Sequence, residues 1–68
     1  MDDEEAIEGL TRLGLTTYEA RVFVALQKLG SGTARDVASV SEVPRSQVYG
    51  AAEALEERGL VETPQSTP

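Results

Sequence analysis

Signals that end helices and signals that start them alternate along this chain and divide it into four short segments. Each stop is a glycine at the end of a segment whose apolar residues have helical spacing, where the left-handed backbone conformation suits glycine. Each start is a threonine with an acidic residue three positions later, as in a capping box, or a proline that suits a first helical position. The stops are Gly14, Gly30 and Gly59, and the starts are Thr16, Thr33 and Pro44. The pattern predicts helices at about 3–13, 17–29, 34–39 and 44–58.

Apolar residues recur in every segment at the spacing of a helix that buries one face. The second segment has the widest stripe, formed by Tyr18, Val22, Ala25, Leu26 and Leu29 with Phe23 beside it. The other segments contribute Ile7 and Leu10, then Ala34, Val37 and Ala38, then Val48, Ala51, Ala52 and Leu55. These residues are the predicted core, except that Ile7 and Leu10 could instead belong to a seam between two subunits.

The composition limits the chain to one small domain without most enzyme chemistry. A core built from 68 residues yields a net stability of only about 3 to 5 kcal/mol, so a second chain could be needed. Cysteine and histidine are both absent, which excludes disulfides, zinc fingers, thiol nucleophiles and imidazole bases. We predict no enzymatic activity, no metal, no cofactor and no small-molecule site within this chain.

The N-terminus carries no sign of membrane targeting. Its first residues are acidic, where a secretory signal would be basic. The longest uncharged apolar run, Val22 to Leu26, is too short to span a bilayer. We therefore expect a cytoplasmic protein without membrane contact.

The net charge of -6 has the wrong sign for a nucleic-acid binder. However, the acids concentrate at the ends: residues 1–8 hold five acids and no base, and residues 53–68 hold four acids and one base. Residues 9–52 hold five bases and three acids, a local charge of +2. The acidic composition of the whole chain resembles that of proteins from salt-loving archaea. In such cells molar salt shortens the Debye length to about 3 Å, so distant acids repel DNA weakly. An ordinary acidic, soluble domain is the alternative.

The third and fourth segments have the features of a helix-turn-helix over about residues 33–58. Ala34 and Ala38 would let the two helices cross closely, and Val43 in the connection would fill the gap between them. The first two turns of the fourth segment, the end that a recognition helix presents to base edges, carry Arg45, Ser46, Gln47 and Tyr49.

These side chains suit duplex DNA. Arginine can hold guanine and glutamine can hold adenine through paired hydrogen bonds, while serine and tyrosine hydroxyls can reach phosphate. Arg35 is expected to touch phosphate, because it begins the helix that crosses the DNA backbone. A lone arginine near a helix start is usually a solvated surface residue, but next to Pro44 and Ser46 a base or phosphate contact is the better interpretation of Arg45. Tyr49 could equally lie over the edge of the core or in a subunit contact.

Five stretches in order resemble the TrmB-like winged-helix transcriptional regulators of archaea. They are Leu-Gly-Leu-Thr-Thr-Tyr-Glu-Ala at 13–20, Leu26 to Gly30, Thr-Ala-Arg-Asp-Val-Ala at 33–38, Val-Pro-Arg-Ser-Gln-Val-Tyr at 43–49 and Leu-Glu-Glu-Arg-Gly-Leu-Val at 55–61. Each stretch is a weak signal, but all five together cover about residues 10–62 at natural spacing. The resemblance implies a winged helix-turn-helix, sequence-specific duplex binding through the fourth helix, and usually a dimer. It also implies that Arg45, Ser46, Gln47 and Tyr49 face DNA.

The chain departs from the family pattern in four ways. Glu42 replaces a turn glycine, which would store about 1 kcal/mol of strain if φ is positive there. Gly50 inside the recognition helix costs roughly 0.8 to 1 kcal/mol relative to alanine. Ala51 and Ala52 replace bulkier aliphatic residues, and Glu53 stands where a basic residue is common.

The sequence as a whole predicts a mainly α, winged helix-turn-helix fold spanning 1–68. The wing is expected to be short or truncated, with one strand at about 60–63 and a tail at 64–68. The predicted function is sequence-specific double-stranded DNA binding by a homodimeric transcriptional regulator, with helix 44–58 in the major groove. The alternative is a winged helix that contacts proteins of the transcription machinery without reading sequence, which the acidic charge, Gly50 and Glu53 favour.

Overall fold

A computed structural model describes residues 2–30 and 33–61 as four α-helices joined by short turns. The helices are α1 (Asp3–Arg12), α2 (Thr17–Leu29), α3 (Ala34–Ser41) and α4 (Arg45–Glu57), which confirms the mainly α prediction. Within these ranges there is no strand, and the predicted wing strand begins at Leu60 and Val61 in irregular backbone. The rest of that strand, the tail and the predicted Ser31-Gly32 turn lie outside the described residues. Among the helices described, none is long and apolar enough to cross a membrane.

Both predicted capping boxes are present and fix the starts of α2 and α3. The backbone N–H of Glu19 donates to Oγ1 of Thr16 over 3.1 Å, and the N–H of Thr16 donates to the Glu19 carboxylate over 2.9 Å. Thr33 and Asp36 make the same reciprocal pair over 3.2 and 3.3 Å. Two otherwise unpaired donors at each helix start are thereby satisfied.

The helices α1 and α4 end in the same geometry. Gly14 follows α1 with φ 110, and its N–H donates to the Thr11 carbonyl while the N–H of Leu15 reaches back to the Leu10 carbonyl. Gly59 follows α4 with φ 78 and has the equivalent pair of hydrogen bonds around it. This double bond pattern is the Schellman motif, which needs a left-handed residue at the glycine position.

The turn between α3 and α4 differs from the sequence prediction. Helix α3 continues to Ser41 rather than ending at about residue 39, and Glu42 closes it with φ 59. Pro44 lies just outside α4 as its N-cap, with ψ 137, so Arg45 is the first helical residue. A non-glycine residue at the left-handed position gave no stop signal at Glu42, which explains the misplaced end of α3. Helices α1 and α4 each end one residue earlier than predicted.

The core lies around α2, which packs against each of the other three helices, while α3 also packs against α4. It consists of Leu15, Val22, Ala25, Val37, Val43, Val48, Ala51 and Leu55. Val43 is only 2% exposed, which confirms that this connection residue fills the gap between α3 and α4. The prediction for Tyr18 was wrong: this residue is 41% exposed, because it lies at the first turn of α2, next to a glycine of α4 that offers no side chain to cover it.

Candidate nucleic-acid interface

The first two turns of α4 present four polar side chains to solvent. Arg45, Ser46, Gln47 and Tyr49 are all exposed. Val48, between them, is only 3% exposed and anchors this part of the helix in the core. The ring of Tyr49 is mainly in solvent, with 65% of the residue exposed, so it does not lie over the edge of the core. The start of α4 therefore has one face buried in the core and a polar face exposed to solvent, as expected of a helix that contacts another molecule.

The electrostatic character of this helix start differs from that of the other three. Acidic residues occupy the first turn of α1, α2 and α3, whereas the first turn of α4 has none. Its N-cap Pro44 also provides no side-chain acceptor for the first amides. The positive end of the helix dipole and the Arg45 guanidinium therefore both attract an anion, as at the start of a phosphate-binding helix.

Ion pairing leaves few bases free, and two of those lie in the helix-turn-helix. Among the described residues, Arg12 pairs with Glu8 at 3.3 Å, Arg58 pairs with Glu19 at 3.9 Å, and Lys28 pairs with Asp3. In the described part of the chain, Arg21, Arg35 and Arg45 make none. Arg35 and Arg45 are exposed in the first turns of α3 and α4. The cationic side chains still available for a phosphate or a base therefore include both predicted arginines.

A shallow groove of about 440 Å³ separates the start of α2 from the start of α4. One wall consists of Thr16, Thr17, Tyr18 and Glu19, and the other consists of Gln47, Gly50 and Ala51. No atom lies within 4 Å of the position that a Cβ on Gly50 would take. The sequence predicts residues 16–18 only as a cap and a core position, because a capping box marks a helix start without showing which other helix it lies against.

Acidic residues border the predicted reading surface farther along α4. Glu53 follows Tyr49 by four residues, so the two side chains project from the same side of the helix. Glu53, Glu56 and Glu57 are all exposed. Along α4, the exposed surface without acids is therefore limited to the first two turns.

Comparison with known proteins identifies the family to which this chain belongs. The family described as sugar-specific transcriptional regulator TrmB matches residues 10–68. The chain belongs to the TrmB family. The family match confirms the resemblance found in the sequence and is consistent with a winged helix-turn-helix fold, whose wing is not visible among the described residues.

Archaeal members of the TrmB family are similar to the whole chain or to most of it. The HTH-type sugar sensing transcriptional regulator TrmBL1 of Pyrococcus furiosus is 35% identical over 68 residues, which is 100% of this chain and 20% of that protein. The DNA-binding HTH-type transcriptional repressor TrmBL2 of Thermococcus kodakarensis is 47% identical over 46 residues, 68% of this chain and 17% of that protein. The chain thus spans about a fifth of the length of these relatives. No solved structure matches it.

Proposed function

We propose that this chain reads double-stranded DNA sequence-specifically as part of a transcriptional regulator, with α4 in the major groove. The observation that carries the proposal is the start of α4, a helix end without acids or a side-chain cap. Arg45 makes no ion pair with the residues that the structure describes, and three further polar side chains are exposed beside it. The names of two relatives support it, since one is a transcriptional regulator and the other a DNA-binding repressor.

The proposed contacts divide into base reading and backbone positioning. Arg45 and Gln47 can form paired hydrogen bonds to guanine and adenine edges in the major groove. Ser46 and Tyr49 carry hydroxyls that suit phosphate or base contacts, and Arg35 at the start of α3 suits phosphate. Thr17 and Tyr18 lie across the groove from Gln47, so we also propose that the start of α2 lies beside the same stretch of DNA backbone.

Two turns of one helix form a small reading surface, so we propose that a homodimer binds two half-sites. In such an arrangement the half-sites lie about one helical turn of DNA apart, or a multiple of it. The regulator would act on the chromosome in the cytoplasm. Sugars appear in the description of the family and in the name of TrmBL1, and we assign no effector site to this chain.

A salt titration of duplex binding tests the proposal and separates it from a protein-contact module. A pool of random duplexes is first taken through rounds of selection, and the enriched sequence is then titrated with the protein. We expect one enriched motif, and an affinity that falls with salt at a log-log slope of about -0.9 for each phosphate neutralised. Absence of binding at about 50 mM salt, where phosphate contacts are strongest, would favour the protein-contact module.

A further inference from the structure

Gly50 opens the side of α4 that faces the start of α2. It lies in the second turn of α4, where glycine destabilises a helix relative to alanine. Apart from the neighbouring backbone of α4, no atom of the described chain lies within 4 Å of the position that a Cβ would take, and the structure records no positive φ there. Neither packing within the described chain nor backbone conformation therefore requires glycine at this position, whereas the close approach of another molecule would.

The position of Gly50 connects the groove beside α4 to the predicted reading surface. Openness alone does not distinguish this residue, because Gly9 in α1 is equally open. However, Gly50 follows Gln47 by three residues and Ser46 by four, so it continues the side of α4 that carries these two predicted DNA contacts. Across the groove lies Tyr18, which is 41% exposed. The groove is therefore continuous with the reading surface and has an exposed tyrosine on its opposite wall.

The dimensions of DNA determine what lies beside a reading helix. The major groove of B-DNA is about 12 Å wide, and a helix with its side chains is about 10 to 12 Å across. A helix inserted there is flanked by the sugar–phosphate backbones of both strands. With α4 in the major groove, as in the proposed function on which this inference rests, one backbone passes the side of α4 that faces α2.

We propose that the groove between α2 and α4 holds a sugar–phosphate unit of that backbone, with the deoxyribose against Gly50 and a phosphate oxygen accepting a hydrogen bond from the Tyr18 hydroxyl. Glycine lets α4 lie close to the DNA backbone. This closeness sets how far Arg45 and Gln47 reach towards the base edges. Gly50 is thus a positioning residue for sequence reading, and Tyr18 is a phosphate contact.

The charges around the groove predict the character of the phosphate contact. Of the described residues that line the groove, Glu19 alone is charged, so none of them can neutralise a phosphate. The Glu19 side chain is only 14% exposed, lies 3.9 Å from Arg58 and accepts the N–H of Thr16, which partly compensates its negative charge. The Tyr18 contact is therefore a hydrogen bond from an uncharged donor, which positions the DNA backbone without releasing a counterion.

Removal of the Tyr18 hydroxyl tests the phosphate contact. Fluorescence anisotropy measures binding to the duplex enriched by selection and to a random-sequence duplex of equal length, at several salt concentrations. We expect Tyr18→Phe to weaken binding to both duplexes by roughly three- to tenfold, as for the loss of one hydrogen bond. The salt slope should stay unchanged, because no cation is lost. Arg35→Ala provides the contrast, since the loss of a phosphate-bound cation reduces the magnitude of the slope.

Side chains of increasing size at Gly50 test the close approach. Gly50→Ala and Gly50→Leu should both raise the thermal midpoint of unfolding, because each removes a mid-helix glycine. Gly50→Leu should nevertheless weaken binding to the enriched duplex by roughly tenfold or more. Binding to the random duplex should weaken less, because a displaced α4 loses base contacts before it loses phosphate contacts. Gly50→Ala should have an intermediate effect.

The matched controls are Gly9→Ala and Gly9→Leu. They remove an equally open mid-helix glycine of α1, and the groove that Gly9 lines includes no described residue of α4. These variants should gain thermal stability in the same way as the Gly50 variants. Their affinity for both duplexes should equal that of the wild-type chain.

The results separate this inference from the proposed function. A wild-type chain that binds neither duplex overturns both. A wild-type chain that binds the enriched duplex, with a folded Gly50→Leu variant that binds it equally well, overturns the inference alone and assigns the groove to another occupant. Wild-type affinity of Tyr18→Phe, or a reduced salt slope in that variant, contradicts the proposed contact. If thermal unfolding shows that Gly50→Leu has lost its fold, the smaller Gly50→Ala decides.

Discussion

Arg58 donates from Nη2 to the backbone carbonyl of Gly14 over 3.2 Å and so joins the end of α4 to the end of α1. Its Nε lies 3.9 Å from Oε1 of Glu19, the same oxygen that accepts the N–H of Thr16 in the capping box. One side chain therefore connects the end of α4, the α1–α2 turn and the start of α2. Since α2 begins beside the reading helix, this connection helps to hold the two walls of the candidate DNA interface together.

Replacement of Arg58 by alanine should lower the free energy of unfolding by about 0.5 to 1 kcal/mol. The loss consists of one hydrogen bond to a carbonyl and a loose ion pair, both partly screened by solvent because the Arg58 side chain is 43% exposed. Urea denaturation of the dilute chain measures it. The matched control is Arg12→Ala, whose pair with Glu8 has side chains 78% and 69% exposed and should contribute less than about 0.5 kcal/mol. Equal losses in the two variants would show that the Arg58 contacts add nothing beyond a surface ion pair.

The helix boundaries were largely predictable because the residues that set them act on their immediate neighbours. Thr16 and Thr33 satisfy amides three residues away, and Gly14 and Gly59 adopt the positive φ values that their cap positions need. Such interactions are encoded within five or six consecutive residues. The four-helix fold and the exposed face of α4 follow from these boundaries and from helical spacing.

The features that the sequence did not predict depend on contacts between distant residues. The exposure of Tyr18 arises because Gly50, on another helix, lines the groove beside it. The hydrogen bond from Arg58 to Gly14 and its ion pair with Glu19 join residues up to 44 positions apart, and no local sequence pattern predicts them. The missed end of α3 is different, since there the local signal itself, a glycine at position 42, is replaced.

Glu42→Gly should stabilise the chain by about 0.5 to 1 kcal/mol. Glu42 has φ 59 at the end of α3, a conformation that costs a residue with a Cβ about 1 kcal/mol. Glycine relieves this strain, but its greater conformational freedom in the unfolded chain offsets part of the stabilisation. Chemical denaturation measures the change. Glu42→Gln removes the same charge but keeps the strain, so a comparable gain in that variant would assign the effect to electrostatics.

Alanine should have opposite effects at two glycines of the α4 region. Gly50 lies within the helix and has no neighbouring atom within 4 Å of a built Cβ, so Gly50→Ala should stabilise the chain by up to about 1 kcal/mol. Gly59 has equally open surroundings but φ 78, so Gly59→Ala should destabilise it by about 1 kcal/mol. Thermal unfolding of both variants makes the comparison. Shifts of the same sign would mean that backbone conformation does not decide the outcome.

Arg45 and Arg35 should affect DNA binding in different ways if they read bases and phosphate respectively. Arg45→Ala should cost about 1 to 3 kcal/mol and relax the preference at one base position. Arg35→Ala should weaken binding to all sequences alike and reduce the magnitude of the salt slope by about one. Competition titrations with single-base variants of the selected duplex distinguish these patterns. Arg21→Ala is the control, because Arg21 also makes no ion pair among the described residues but lines a cleft whose lining includes no residue of α4.

Removal of the acid at Glu53 should strengthen DNA binding. Glu53 is exposed on α4, on the same side as Tyr49 and one turn farther from the helix start, so a bound phosphate backbone would experience its negative charge. Two unit charges about 6 Å apart in water interact with about 0.7 kcal/mol, so Glu53→Gln should raise affinity by roughly threefold at low salt. The gain should shrink as salt increases, because the interaction is between exposed charges. Glu4→Gln changes the net charge equally from the acidic first turn of α1, and an equal gain there would show that total charge, rather than proximity of Glu53 to DNA, controls the affinity.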